Sequence, residues 1–408
     1  MPGPFQHYVS YGSTDQATMR ELATHFDGLV VPGTIAAFQA DGTRGFVLTL
    51  SARAEPYVID SRFPLFQNLL SQPKKSHYML ADLLGSPSLI RSDRAPAPSD
   101  FDDDLVERIA QRWIEFNVGF DDVKTKTFDK YASRLNETIF SDDRQKPAFI
   151  MPPYTIASAP GDGWFDVSER LWAASKAHAS SVDTDVSLRR VLATSSATLW
   201  RQLAPRIDET QIVAWVSGLD ELNQSSESDL LTYGLAISES SDRGQSVFAL
   251  YGGFFSVLLG SYGLAGSSHG IGFGESRDWV ELPSSGAPPA RYYVPRLHRY
   301  VAVDLAEIIW SQFPDLIVCD CRECGENSPA ALDYHALMKH SVLVRDREIR
   351  EWGGLSADET IARLTADAQE FRESLSSLVA PERIVRRASE LYGHLFMWAR
   401  VISELPQR

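Results

Sequence analysis

The pattern that most limits the fold of this chain is the alternation of short apolar runs with longer segments of helical periodicity. Several runs are almost continuously apolar, which is typical of parallel strands covered on both faces. This alternation favours an α/β fold, and about eight such units favour a closed (β/α)₈ TIM barrel over the alternative, an open doubly wound sheet. The predicted strands are 28–38, 46–51, 56–60, 148–157, 211–219, 246–252, 263–274, 291–295 and 315–319.

The segments between these runs have helical periodicity, with apolar residues three and four positions apart, and the C-terminal part of the chain has only this pattern. The predicted helices between the strands include 101–118, 186–204 and 303–313. From about residue 355 onward the pattern is entirely helical. This last part predicts a helical extension packed on the main domain.

Charge and apolar content limit the partners and the location of the protein. The formal net charge of −15 makes the surface a poor non-specific partner for nucleic acid or anionic lipid. A local basic groove is still compatible with this charge, because charges are screened over roughly 10 Å. No apolar run reaches the roughly 20 residues that span a bilayer, and the first residues lack the features of a secretory signal. We expect a soluble, cytoplasmic protein without membrane contact.

All three cysteines of the chain lie within one short stretch, CDCREC, as Cys319, Cys321 and Cys324. Thiolates at this spacing can reach one zinc ion from a single turn at about 2.3 Å, and zinc prefers four ligands. His335 and His340 follow closely and are the candidates for the fourth ligand. Four protein ligands leave no position for water, so the predicted metal is structural.

This C-x-C-x₂-C pattern, followed by a helix and a histidine, resembles the zinc site of the tRNA-guanine transglycosylases. The stretch KHSVLVRDREIREW, residues 339–352, is similar to the part of that family in which the ligand histidine leads into a helix. The resemblance gives His340 the ligand position and leaves His335 as the alternative. It implies a TIM-like barrel over 1–318, a zinc-binding segment over 319–350 and a C-terminal helical extension over 351–408.

Further resemblance to the same family lies at three strand ends. Asp60, in the stretch YVIDSRFPLFQ, matches the aspartate that ends an early strand in the family. An aspartate after the middle strand recognises the purine there, and Asp220, followed by Glu221, stands in a similar place. The resemblance therefore implies that Asp60 and Asp220 are catalytic. Glycines that approach the purine in the family are matched by Gly252, Gly253 and Gly272, with Gly274 and Glu275 just beyond.

Two functions are compatible with these features. The resemblance implies a transferase that exchanges guanine for a 7-deazaguanine base in nucleic acid, with DNA favoured over tRNA because no RNA-binding extension is recognisable. However, no residue between 295 and 319 matches the nucleophilic aspartate of the family. The alternative is therefore a catalytically inactive barrel that serves as a binding or scaffold subunit, with the C-terminal helices contacting a protein partner.

Overall fold

The computed structural model describes residues 4–91, 93–135, 138–182, 185–272 and 290–407. Its main sheet contains eight parallel strands, and each of the first seven is followed along the chain by helical segments. These strands are β1 Gln6–Ser10, β2 Gly28–Pro32, β3 Tyr57–Asp60, β4 Ile156–Ala157, β5 Arg190–Thr194, β6 Gln211–Val216, β7 Ser246–Ala249 and β8 Leu264–His269. A separate antiparallel pair consists of β9 Arg291–Val294 and β10 Arg299–Ala302.

Helices connect the strands and form the whole C-terminal part of the chain. The connecting helices are α1 Gln16–Glu21, α2 Gly33–Phe38, α3 Ala40–Ser51, α4 Lys75–Leu83, α5 Asp103–Val118, α6 Thr125–Ala132, α7 Gly163–Ser181, α8 Ala197–Leu203, α9 Glu227–Asp242 and α10 Phe254–Leu258. The later helices are α11 Val303–Gln312, α12 Pro314–Ile317, α13 Tyr334–Trp352, α14 Ala357–Leu375, α15 Glu382–Ser389 and α16 Gly393–Glu404. None of the helices in the described ranges is long and apolar enough to cross a membrane.

The sheet is curled, with the strand order β3-β2-β1-β8-β7-β6-β5-β4. Three strands lie between β3 and β7 in this order, which would separate them by about 19 Å in a flat sheet. Nevertheless, the Tyr251 hydroxyl just after β7 donates a hydrogen bond to Asp60 at the end of β3, at 2.5 Å. No strand ladder joins β3 to β4 within the described residues, but the Ala148 N–H donates to the Tyr57 carbonyl across that gap at 2.8 Å.

The concave side of the curled sheet encloses its own apolar core, separate from the two larger cores under the helices. Side chains from β1 to β7, and from the segment before β4, meet in this inner core. Its members are Tyr8, Val30, Val58, Phe149, Met151, Tyr154, Ile156, Val191, Ala193, Val213, Trp215, Phe248, Leu250 and Tyr251. The interior is therefore packed with side chains, and functional groups have to lie at its ends.

The structure confirms the α/β class and most predicted strands, but several segments differ. Residues 33–38 of the predicted strand 28–38 form helix α2, only Ile156–Ala157 of the predicted strand 148–157 form β4, and β1 and β10 are not predicted. Residues 46–51 form the end of helix α3, and residues 315–317 belong to the short helix α12. Conversely, β5 lies inside the predicted helix 186–204. Short, fully buried segments cause these errors, because a continuous apolar run has the same appearance in a buried helix and a buried strand.

The C-terminal helices share a core with the sheet domain, as the sequence predicts for a packed extension. Leu364 and Phe371 of α14 and Trp398 of α16 belong to the same apolar cluster as the residues under β5 to β8. The Trp398 indole N–H also donates to the backbone carbonyl of Glu221, which follows β6, at 2.7 Å. This contact ties the extension to the carboxyl edge of the sheet.

Candidate metal centre and candidate active site

The three cysteines and His340 form one compact cluster. One potential ligand atom from each residue lies within 4.8 Å of all the others. The His340 Nδ1 atom is 3.2 Å from the Cys324 Sγ and 3.5 Å from the Cys321 Sγ. In a zinc tetrahedron with bonds of about 2.3 Å, sulfur atoms are about 3.8 Å apart. The donor set and its spacing therefore suit a zinc ion, as the sequence predicts.

A tight turn and one helix bring these donors together. The N–H groups of Cys324 and Gly325 both donate to the Cys321 carbonyl at 3.1 Å, which folds the thiol segment back on itself. Gly325 has a φ of 52°, in the left-handed region that glycine adopts without steric cost. Helix α13, whose first turn is capped by the Asp333 side chain, carries His340 into the turn.

Neighbouring groups fix which nitrogen of His340 faces the thiols. Its Nε2 atom lies 2.6 Å from the backbone carbonyl of Tyr293, which can only accept, so Nε2 carries the proton. In the neutral imidazole, Nδ1 is then the unprotonated donor that a metal requires. The Tyr292 ring stacks on the imidazole with centroids 4.5 Å apart, and the Arg347 guanidinium approaches the Cys319 sulfur at 3.6 Å.

The electrostatics of the thiols show why this cluster suits a cation. Hydrogen bonds from Cys319 and Cys324 lower the pKa of Cys321, whereas hydrogen bonds with Cys319 and Cys321 raise the pKa of Cys324. A divalent cation bound among the sulfurs would favour the ionised form of these thiols. His335, the alternative ligand, is exposed at the start of α13 and does not belong to the cluster.

A second cluster surrounds Asp60, which the structure places at the carboxyl end of β3 with no exposed surface. The Tyr154 hydroxyl donates to Asp60 Oδ1 at 2.7 Å, and the Tyr251 hydroxyl donates to Oδ2 at 2.5 Å. The Arg62 N–H also donates to Oδ1, at 3.1 Å. Burial, reinforced by the nearby carboxylate, raises the pKa values of both tyrosines, so they stay protonated donors at neutral pH.

Two of the four non-glycine residues with positive φ in the described part of the chain flank this carboxylate. Arg62 and Tyr251 have φ values of 53° and 61°, in the left-handed region that non-glycine residues rarely adopt. The Arg62 guanidinium lies over the rings of Tyr251 and Trp215, at 5.2 and 5.9 Å from their centroids. Strain of this kind persists where the surrounding structure holds it, and such positions cluster at functional sites.

The second predicted carboxylate, Asp220, is exposed in the loop after β6. Its Oδ1 accepts hydrogen bonds from the N–H groups of Leu222 and Asn223 at 2.9 and 3.2 Å, so it stabilises its own loop. The structure therefore puts Asp60 and Asp220 at the same edge of the sheet but does not join them in one cluster.

Glu221, the neighbour of Asp220, is buried and holds the start of α10. Its carboxylate accepts from the N–H groups of Gly253 and Phe255 at 3.1 and 3.0 Å, and from the Ser256 hydroxyl at 2.9 Å. A carboxylate in this place stabilises the unpaired N–H groups of a helix start. Glu221 therefore has a structural partner already and is not aimed at a ligand.

The predicted glycines have packing roles in this structure. The N–H of Gly252 donates to the Ser268 carbonyl at 2.8 Å, and that of Gly253 donates to Glu221. A Cβ atom on Gly252 would come within 2.3 Å of the Ser256 hydroxyl. Gly272 has a φ of 77° and lies against Met338 of α13. Gly274 and Glu275 lie outside the described residues.

Little in the sequence indicates which groups surround Asp60. Tyr154 and Tyr251 lie in or just after predicted strands, where aromatic residues usually indicate only a core. Arg62, two positions after Asp60, was the nearest signal, because a cation beside a strand-end aspartate is unusual in an apolar stretch.

Comparison with known proteins gives no assignment. Neither the models of known protein families nor the curated proteins contain a match to this chain. The functional argument therefore depends on the geometry of the metal cluster and of the Asp60 cluster.

Proposed function

We propose that this protein is a zinc-containing transglycosylase-like enzyme on a closed (β/α)₈ barrel, which exchanges guanine for a 7-deazaguanine base in nucleic acid. The observation that carries the proposal is the buried Asp60 carboxylate at the carboxyl end of β3, where barrel enzymes hold their catalytic groups. The Cys319–His340 cluster supports it, because it follows β8 in the order expected from the resemblance.

The proposed reaction uses two carboxylates at the carboxyl edge. A carboxylate oxygen attacks C1′ of the nucleoside, the glycosidic bond breaks, and guanine leaves with the bonding electrons. The ring nitrogen of the 7-deazaguanine then loses its proton to a carboxylate and attacks C1′, which releases the enzyme. Asp60 is the buried candidate for this work, and Asp220 is the second carboxylate on the same edge. The target base has to leave its stack to reach them.

The zinc ion would be held by the three thiolates and by Nδ1 of His340, and it would contribute stability rather than chemistry. Because α13 carries His340, the bound ion would fix this helix against β9, whose Tyr293 carbonyl accepts from the same imidazole. The metal thus supports the enzyme from outside the proposed reaction site.

The alternative is an inactive barrel that acts as a binding or scaffold subunit, and specific contacts favour it. The N–H groups of Gly252 and Gly253 are already used within the chain. Two of the basic residues near β9 are also occupied: Arg296 pairs with Asp367 and Glu370, and His298 is buried against Glu348. These contacts reduce the number of polar and basic groups that are available to bind a base or a phosphate.

Mass spectrometry of nucleosides tests the proposal. The zinc-loaded chain is incubated with isotope-labelled guanine or 7-deazaguanine, in parallel with duplex DNA and with tRNA, and heat-inactivated chain serves as the control. We expect the label in the nucleosides of at least one polymer, with more in DNA. Absence of label from both polymers, at full zinc content, would support the scaffold alternative instead.

A further inference from the structure

The guanidinium of Arg62 occupies the space directly beside the Asp60 carboxylate. Its Nη1 atom is 4.0 Å from Asp60 Oδ2, which is longer than a hydrogen bond, and the side chain is 18% exposed. Aromatic rings of Tyr251 and Trp215 lie within 6 Å of the guanidinium. The guanidinium is thus held by the rings, by the charge of Asp60 and by a side-chain hydrogen bond with Tyr251, and the side chain is only partly exposed.

The carboxylate keeps one acceptor position on the side that Arg62 covers. Each carboxylate oxygen can accept about two hydrogen bonds. Within the described part of the chain, Oδ1 accepts from the Tyr154 hydroxyl and the Arg62 N–H, whereas Oδ2 accepts from the Tyr251 hydroxyl. The remaining position on Oδ2 faces the Arg62 guanidinium, so a ligand that binds Asp60 has to take the place of that group.

A guanine-type base carries a neutral, planar counterpart of the arginine guanidinium. The edge of guanine and of 7-deazaguanine contains a carbon bonded to a ring N–H, an amino group and a second ring nitrogen, which is a planar guanidine unit. Such a unit can place one N–H on the remaining position of Oδ2, and its flat face can stack on the neighbouring aromatic rings. The surroundings of Arg62 are therefore suited to this edge as well as to the side chain.

We infer that Arg62 is a built-in occupant of the base site, and that a guanine-type base binds at Asp60 by displacing the Arg62 guanidinium into solvent. This inference rests on the proposed function, because it takes the base class from it. It makes Arg62 a specificity-determining and autoinhibitory residue: a base with a guanidine edge can give Oδ2 the hydrogen bond that the guanidinium, at 4.0 Å, does not make, and it can stack on the same rings.

Calorimetric titration of the full, zinc-loaded chain with 7-deazaguanine tests this inference. We expect Arg62→Ala to bind the base at least tenfold more tightly than wild type, because no side chain has to be displaced. Alanine keeps the N–H that donates to Asp60 and meets the same strain at positive φ. Arg189→Ala is the matched control: Arg189 lies over the Phe149 ring at 3.8 Å, next to the amino end of β5, and its removal should leave affinity unchanged.

A second ligand and a second variant keep the test decisive. 7-Deazaadenine lacks the guanidine edge and should gain nothing from Arg62→Ala. If Arg62→Ala does not fold, Arg62→Lys replaces it, with an expected gain of about threefold, since lysine keeps the charge but loses the planar, stacking group. Equal or weaker binding of 7-deazaguanine by the folded variant, or the same gain for 7-deazaadenine, would overturn the inference.

The outcomes also separate this inference from the proposed function. If Arg62→Ala binds 7-deazaguanine more tightly but the wild-type chain exchanges no base, the inference that Arg62 is displaced is supported and the proposed transglycosylase activity is contradicted. If the wild-type chain exchanges the base but Arg62→Ala shows no gain in affinity, the proposed activity is supported and the displacement of Arg62 is contradicted.

Discussion

The metal cluster and the Asp60 cluster are both buried, but they are built in opposite ways. The thiols come from one short turn and lie with His340 in the arrangement of four metal donors, although the Arg347 guanidinium also approaches Cys319. Asp60 instead receives its partners from distant parts of the chain, namely Tyr154 and Tyr251, with the positively charged Arg62 beside it. The first cluster is suited to permanent occupancy, whereas the second has to open before a ligand can enter.

The largest expected effect is the loss of the metal from Cys321→Ser. A serine hydroxyl is a poor zinc ligand, and structural zinc contributes about 10–16 kcal/mol of apparent binding free energy in small zinc domains. We expect wild type to hold about one zinc per chain and the variant to hold almost none, with a clearly lower unfolding temperature. Elemental analysis and calorimetry measure the two effects. Undiminished zinc in the variant would contradict the assignment of the cluster.

Asp60→Ala should have the next largest effect, on activity rather than on metal content. The variant removes the carboxylate that we propose to act at the reacting base, and such losses are commonly about 10²-fold or more. Base exchange is measured by mass spectrometry, with zinc content and circular dichroism as checks on folding. Asp220→Ala is the companion variant, and a similar loss there would show that both carboxylates take part. Unchanged exchange in Asp60→Ala would remove this residue from the mechanism.

A smaller effect is expected for Tyr251→Phe, which removes one hydrogen bond to the buried carboxylate. Loss of a hydrogen bond to a charged group costs about 1.5–3 kcal/mol of the free energy of unfolding. Tyr293→Phe is a matched control, because the Tyr293 hydroxyl bonds to buried Glu348 on α13, at 2.9 Å to Oε2. We expect similar urea-unfolding losses in both variants, but reduced base exchange only in Tyr251→Phe. Equal exchange in the two would argue that the Asp60 cluster is purely structural.

The smallest expected effect concerns the alternative ligand. His335 is exposed and lies outside the thiol cluster, so His335→Ala should keep its zinc and its unfolding temperature. His340→Ala, measured beside it by elemental analysis, should lose most of its zinc. A variant at His335 that lost zinc as readily as one at His340 would show that the ligand set is wrong.

The two clusters also differ in how far the sequence predicts them. The metal donors are close along the chain, so their spacing alone indicates the chemistry. The choice between His335 and His340 needs the structure, because it depends on which face of α13 meets the thiol turn. The position of Asp60 at a strand end was likewise predictable from the short apolar run before it.

The hydrogen-bond partners of Asp60 could not be predicted from the sequence, for a physical reason. Tyr154 and Tyr251 meet the carboxylate only because the sheet curls, and curling depends on strand pairing between residues far apart in the chain. The wrong assignments at 46–51 and within 186–204 have a related cause, since burial on all sides removes the periodicity that separates helix from strand.

The position of β1 in the sheet has a consequence for folding during synthesis on the ribosome. This strand, Gln6–Ser10, pairs with β2 on one side and with β8, Leu264–His269, on the other. At a synthesis rate of about 5–20 residues per second, one edge of β1 waits roughly 10–50 s for its neighbour to leave the ribosome. Unpaired edges promote misassembly during such delays. We therefore expect the nascent chain to rely on chaperones until its eighth strand has emerged.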